Sequence, residues 1–558
     1  MTLSIAGRPL GQCWAQLWYR LRLPLFASPL YRAMLSGPPA FQLAVVPPDP
    51  WPGDADRGAA ILGGTFPFAH SVETAEGEAV WDIAGAPAAW RDELHSFQWL
   101  ADLRTVGGGP ARRCARELIA GWCKRYGWWH AVAWRPAVMV RRVAAWLGHY
   151  EFCAASADDE MRARFFRALL RQLRHLDRVG SAVGGPMEQL IAAKVQILGG
   201  IALPDDAGRL GKGMKRLARI LDQDFLADGG YAARAPSAQV EVLRHLVDIR
   251  AALGAASRSI PDALQGAIDR LAGVVRFLRH GDGGLALFHD GNEEEGWRID
   301  SVLAQAVARA GMPQRLPDTG FERLQSGRSI VIVDVGRPPP LGHDRRAHAS
   351  ALAFEMSFGR ERLIVNMGAA PQGQAEWRNL QRASAAHSTL VVADTNSVPL
   401  RRGGGFGKIA GAVESRREDL DGAALADARH DLYRRRFGLM HRRRLFLAVG
   451  GEDLRGEDTL DGPEGRAFAI RFHLHPDVRV SLLQGGGALL RLAGGSFWRM
   501  RAGGGELAIA DSVYFGHGGE MKRTQQIVLT GTTGAGGETV VKWALQREGK
   551  PVRKGEAS

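Results

Sequence analysis

Cysteine is scarce in this chain. Its 558 residues hold four, Cys13, Cys114, Cys123 and Cys153, with no C-x-x-C pair and none beyond the first third. That excludes a disulfide framework and a thiolate metal site, and buried free thiols are expected. No run of eighteen apolar residues occurs, which excludes a membrane-spanning helix. Zinc-finger spacing, RNA-binding motifs and a long basic tail are also missing. The charge balance is basic: 72 Lys and Arg against 59 Asp and Glu, net +13. A polyanionic partner is therefore expected, with acidic lipid or acidic polysaccharide ahead of nucleic acid. The G-G-G-F-G at 403–407 lacks the Lys-Ser/Thr of a phosphate loop. No fixed period marks a consensus repeat.

What is present divides into an α part and a β part. Residues 11–35 set Trp14, Trp18, Tyr19, Leu21 and Leu25 among Arg20, Arg22 and Arg32. The arginines interrupt the apolar run, so a packed terminal helix is expected rather than a signal peptide, with a basic amphipathic element as the alternative. Pro, Gly and Asp dominate 36–85, an irregular arm. From about Asp92 the apolar period becomes 3.6. Phe97, Leu100 and Leu103 mark one helix; Ala115, Leu118 and Trp122 mark the next. Pro136 opens another, and Phe165, Phe166, Leu169, Leu170, Leu173 and Leu176 form a long stripe. Further helices are expected near 188–199, 209–226, 238–254, 262–280 and 299–311, stacked as hairpins. Eleven of the fifteen tryptophans precede residue 150, and most are expected in the core. Pro313, Pro317, Asp318 and Gly320 mark a boundary. Beyond it, short apolar runs split by glycines argue for an antiparallel sandwich. The expected divisions are 1–85, 86–315, 320–548 and a disordered polar tail at 549–558.

The chemistry-bearing stretch is 344–392. Leu352, Phe354, Met356 and Phe358 alternate with Ala351, Ala353, Glu355 and Ser357, a half-buried strand by its period of two. Leu363–Val365 returns after a turn, and Ser388–Val392 follows His387. His348, Asn366 and His387 therefore sit at strand edges, where imidazole and amide groups bind a metal or an anion, or simply finish turns. Simple hairpin parity sets Asn366 on the face opposite Leu352 and Phe354; only an odd loop reverses it. Arg434–Arg436 and Arg442–Arg444 are dense basic clusters, either a solvated face or a polyanion-binding rim.

Several segments in order resemble the heparinase II/III-like polysaccharide lyases: L-H-S-F-Q-W-L-A-D-L at 94–103, F-L-A-D-G-G-Y-A-A-R-A-P-S at 225–237, A-H-A-S-A-L-A-F-E at 347–355, L-I-V-N-M-G at 363–368, A-A-H-S-T-L-V-V at 385–392 and F-G-L-M-H-R-R-R-L at 437–445. The resemblance implies an N-terminal (α/α) toroid, a C-terminal antiparallel β-sandwich and a cleft between them. It implies a carbon–oxygen lyase that cleaves an acidic, uronic-acid glycan such as a glycosaminoglycan by β-elimination, and a place in the periplasm or cell envelope. Elimination needs a neutraliser for the substrate carboxylate, a base for the adjacent C–H and an acid for the leaving oxygen. The family supplies Asn or His, Tyr, and a β-domain His; zinc, where present, is held by His, Asp and His.

The carry-over is partial. Arg346 stands where the family's first β-domain His falls. His348, Asn366 and His387 stand at the metal positions, with an amide in place of the carboxylate. The family's Tyr falls near Ala238, and its Asn-His pair near Met187 and Glu188. Tyr231 is the expected substitute base and Arg234 the expected neutraliser. Glu188 and Arg442 are expected to touch substrate, and Tyr231 and Arg234 to look across a basic gap toward His348. The alternative is a catalytically degenerate acidic-glycan-binding protein on the same scaffold. A glycoside hydrolase is less favoured, because no Asp/Glu pair presents itself.

Overall fold

A computed structural model describes residues 10–549 apart from Pro39, Ala84, 204–206 and Gln372. The N-terminal part is helical, and local chemistry sets its boundaries. In Asp159–Val179 the Asp158 carboxylate accepts the Met161 N–H at 2.8 Å. Asp159 and Glu160 then lie at the positive end of the helix and Arg178 at the negative end. Every member of the Phe165–Leu176 stripe is buried. Pro136 occupies the first turn of Pro136–Gly148, where a missing N–H costs nothing. Pro186–Ala202 packs against Ala207–Gln223, Pro136–Gly148 and Pro236–Ala255. Trp90, Trp99, Trp122, Trp134 and Trp146 fill the core between helices. The helix expected through Phe97 is broken instead. Phe97 adopts φ 58° and ends Ala88–Ser96, and Leu100–Val106 starts afresh.

The C-terminal part is two eight-stranded sheets, with antiparallel pairing throughout the ladders below. One sheet runs Arg479–Leu482, Ala488–Arg491, Phe497–Gly503, Glu538–Arg547, Asp453–Asp461, Met440–Leu447, Ala423–His430, Val413–Leu420. The other runs Glu506–Tyr514, Lys522–Thr532, Ala467–Leu474, Glu361–Val365, Phe354–Phe358, Ser329–Asp334, Phe321–Ser326, with Leu390–Val392 also on Ala467–Leu474. The sequence reads Ala351–Phe358 as half-buried; the strand is Phe354–Phe358, and all five residues are buried. Its polar face is covered by the helical part. Glu355 accepts from the Leu287 N–H at 3.0 Å and pairs with His280 Nε2 at 3.1 Å, while Ser357 Oγ meets His280 Nδ1 at 2.9 Å. A bulge at Met356/Ser357 shifts the hairpin register by one, so simple loop parity does not place Asn366.

The N-terminal helices Leu10–Leu21, Leu23–Phe26 and Pro29–Leu35 pack by one side only. Tyr19, Phe26 and Tyr31 gather round His175, and the Tyr31 hydroxyl meets its Nδ1 at 2.6 Å. Trp14, Leu17, Trp18, Leu21 and Leu25 share the opposite face at i, i+3, i+4, i+7 and i+11, and all are exposed. The expected packed terminal helix thus turns an apolar stripe outward. Within the stretch expected as an irregular arm lie a helix, Ala55–Leu62, and a hairpin, Thr65–Phe68 with Ser71–Thr74. No helix among the described residues is long and apolar enough to cross a membrane. The tail from residue 550 lies outside the described residues.

Candidate functional site

Arg234 sits where the helical and β parts meet, in the left-handed conformation at φ 60°. Its guanidinium pairs with buried Asp334 and donates to the carbonyls of Thr319 at 2.6 Å, Arg337 at 2.8 Å and Gly320 at 2.9 Å. Four of its five N–H groups are thereby engaged, and at 3% exposure the guanidinium is closed to a substrate carboxylate. The expected neutraliser is instead a staple between the two parts. Burial raises the Asp334 carboxyl, but the Arg234 guanidinium, with His289 and the Ser350 hydroxyl, brings it below the ordinary carboxylate range. Tyr231 is 2% exposed. Its N–H donates to Gln239 Oε1 at 2.7 Å and its carbonyl accepts from Gln239 Nε2 at 3.0 Å. Its ring stands edge-on to His343 at 5.2 Å. Burial, then Asp224, Glu188 and Glu241, push its hydroxyl well above the usual tyrosine value. Its side chain is almost wholly covered and its hydroxyl is held protonated, which speaks against its expected role as base.

Little space separates Arg234 from His348, and Tyr231 does not line it. The free space among Arg234, His289, Asp334 and His348 is about 10 Å3, no more than one water's worth. His348 Nδ1 meets His387 Nε2 at 3.0 Å, and His387 Nδ1 meets the Ala383 carbonyl at 2.9 Å. The Asn366 amide is used at both ends: its oxygen accepts the Ser388 N–H at 2.9 Å and its NH2 donates to Glu355 at 3.0 Å. This donor set does not fit zinc. Its two imidazoles bond each other, its third group is a committed amide, and no carboxylate joins them. Among the described residues no group of three His, Cys, Asp or Glu is arranged to hold a metal ion. Burial holds His387 down at about 4 and His289 at about 3, so both are neutral imidazoles at ordinary pH.

A second set of charges gathers beside Tyr231. Glu188, in the first turn of Pro186–Ala202, lies 3.6 Å from Arg141. Arg346 is 55% exposed in its side chain and reaches Asp290 at 3.3 Å, which Arg378 also pairs with. Glu241, one turn along Pro236–Ala255 from Ser237, keeps about half its side chain accessible. Burial raises its carboxyl, but His245, Arg141 and Arg346 hold it down at about 2. Elimination from a uronate needs unmatched positive charge and a base that titrates near the working pH. Here the cations face carboxylates, and Glu241 is a weak base that repels an anionic sugar. Arg442 is elsewhere, on the outer face of its sheet, paired with Asp427 at 2.8 Å. Its neighbour Arg443 points inward and holds Asp458 at 2.7 Å. Strand alternation therefore splits the expected basic rim.

Four residues that organise the region were not singled out in the sequence: Asp334, Glu355, His289 and Glu241. Glu355 was legible only as the polar member of an alternating strand. His289 and Glu294, like Arg234 and Leu352, hold positive φ, and backbone strain at the seam has no sequence mark.

The C-terminal family model described as heparinase II/III-like matches residues 308–544. FtsZ-localized protein C of Caulobacter vibrioides is 35% identical over 552 residues, covering 94% of this chain and 93% of that protein. A crystal structure of heparinase III superimposes with a TM-score of 0.68 at 13% identity, over 98% of this chain and 92% of that one. A heparan sulfate lyase from Pedobacter heparinus gives 0.59 at 14% identity, over 97% and 88%. At such identities the structural likeness shows the fold: helices followed by antiparallel sheets. With the C-terminal model matched and a relative aligned end to end, the chain belongs to the heparinase II/III-like family.

Proposed function

We propose that this chain is a membrane-surface protein on a lyase scaffold, co-localised with FtsZ and without β-elimination chemistry. The observation that carries the proposal is the outward apolar stripe. Trp14 is 60% exposed and Trp18 56%, with Leu17, Leu21, Leu25, Leu30 and Met34 alongside. Arg20, Arg22 and Arg32 flank them, all exposed. A helix with Trp and Leu on one side and arginines at its flanks suits the interface of an anionic bilayer. Burying seven such half-exposed side chains is worth roughly 1 kcal/mol each. Each nearby arginine adds about 1 kcal/mol on anionic lipid. The name of the Caulobacter vibrioides relative, 35% identical to this chain, supports the FtsZ association.

Committed Arg234, buried Tyr231 and carboxylate-matched Arg346 support the degenerate alternative over a working lyase. Retention of an acidic glycan without turnover remains compatible with it. The test has two arms. Phosphatidylglycerol vesicles should sediment the chain, and Trp14→Glu with Trp18→Glu should leave it in the supernatant. Heparan sulfate and other uronic-acid polymers should yield no new ultraviolet absorbance from unsaturated uronide. Failure to sediment ends the membrane proposal; sustained uronide release ends the degenerate one.

A further inference from the structure

The outer face of the sheet ending in Val413–Leu420 carries a trough of about 550 Å3, within the ~300–1,000 Å3 of ligand sites. Strand alternation explains its floor. Along Met440–Leu447, His441, Arg443, Leu445 and Leu447 are buried, while Arg442, Arg444 and Phe446 face out. An aromatic at an outward position departs from the polar pattern of that face. In register with Phe446 lie Leu425 on one side and Arg455 on the other, followed by Ala544 and Arg501. The adjacent row is Asp427, Arg444, Glu457, Lys542 and Gly503. Ala544 is small, and a Cβ on Gly503 would meet no atom within 4 Å, so the trough is open from above.

Its charge is one-sided. Arg444, Arg455, Arg501 and Lys542 line it with one carboxylate, Glu457, among the lining residues, and Asp427 at its edge lies 3.9 Å from Arg444. Glu457 serves two of them, Arg444 at 3.4 Å and Lys542 at 3.5 Å. Arg455 leans on Asp453 at the margin. Arg501 has no ion-pair partner among the described residues.

We propose that this trough binds an acidic peptide segment, which seats an apolar side chain on Phe446 and Leu425 and sets its carboxylates against Arg444, Arg501 and Lys542. An acidic glycan matches the cations but has no apolar side chain for this floor, and the Phe446 ring is partly buried. The proposal is independent of membrane docking, since the trough and the N-terminal stripe share no residue.

Fluorescence anisotropy on the full chain tests it. The probe is a short fluorescein-labelled peptide of Glu and Asp flanking a Leu-Phe pair. Saturable binding is expected. Arg501→Glu with Lys542→Glu should weaken it about tenfold or more, and Phe446→Ser by a similar factor. Arg416→Glu, on the same sheet but outside the trough, should leave it unchanged; matched melting curves show that the variants fold. Three results overturn the proposal: undiminished binding by the Arg501/Lys542 variant, equal binding of a peptide lacking the Leu-Phe pair, or stronger binding of a heparan sulfate oligosaccharide that Phe446→Ser does not affect.

Discussion

Arg234→Leu removes one side of a buried ion pair and tests whether the staple joins the two parts. Asp334 is 2% exposed and would be left with the Ser350 hydroxyl at 2.6 Å and the Gly336 N–H at 3.3 Å, both uncharged donors. Stranding a buried charge costs roughly 3–5 kcal/mol. The Thr319 and Arg337 carbonyls also lose the Arg234 donor, at about 1 kcal/mol each if water does not reach them, while the Gly320 carbonyl keeps the Val335 N–H at 3.0 Å. A loss of about 4–6 kcal/mol is therefore expected, the upper end where water does not reach the carbonyls. Asp334→Asn leaves Arg234 its three carbonyls and should cost about 3 kcal/mol. The double variant should cost about 2 kcal/mol less than the sum of the two, because neither change then strands a charge. Guanidinium unfolding, followed by tryptophan emission for the helical part and circular dichroism for the whole, measures all four. Additivity within about 0.5 kcal/mol would refute the coupling. The pH dependence has a definite sign. The Asp334 carboxyl is lowered in the fold, so its stabilisation is present above the ordinary value of about 3.9 and is lost as pH falls below it. The Asp334→Asn variant should lack that loss.

Other outcomes follow from the same geometry. His387 is held at about 4 against an unfolded value of about 6.5, so the unfolded chain binds more protons between the two. Unfolding free energy should rise with pH across that window, and His387→Gln should flatten the rise in urea titrations at stepped pH. A Cβ on Gly456 would overlap the Trp543 ring in the sandwich core. Gly456→Ala should cost about 1–3 kcal/mol by thermal melting, whereas Gly503→Ala, facing open space, should cost far less. Tyr231→Phe keeps the ring against His343 and Phe225, and should change the melting temperature by no more than the equivalent of about 1 kcal/mol.

The architecture was legible where one physical signal dominated. The 3.6 period of Phe165–Leu176, the opening proline of Pro136–Gly148 and the glycine-split runs past Gly320 each reported local burial directly. The break at Phe97 was not legible, because a left-handed cap on an aromatic residue is imposed by its neighbours: its ring stacks on Trp81 and Trp99. The site was legible in its membership but not in its wiring. Sequence order set His348, Asn366 and His387 in one region; in the fold His348 meets His387, and Asn366 holds the N–H of the next residue, Ser388. It could not show that Glu355, rather than a metal, takes the Asn366 amide. Arg234 read as a free cation because its four acceptors come from residues about a hundred positions away. In the N-terminal helix the stripe was visible, yet only the packing of Tyr31 and Phe26 on His175 fixed which side turns outward.

Tryptophan emission with and without phosphatidylglycerol vesicles probes the membrane-docking account most directly, because Trp14 and Trp18 are the fluorescent members of the exposed stripe. A blue shift on adding vesicles, weakened by high salt and absent from the Trp14→Glu/Trp18→Glu variant, is the predicted result. An unchanged spectrum, or the same shift in that variant, would contradict the account.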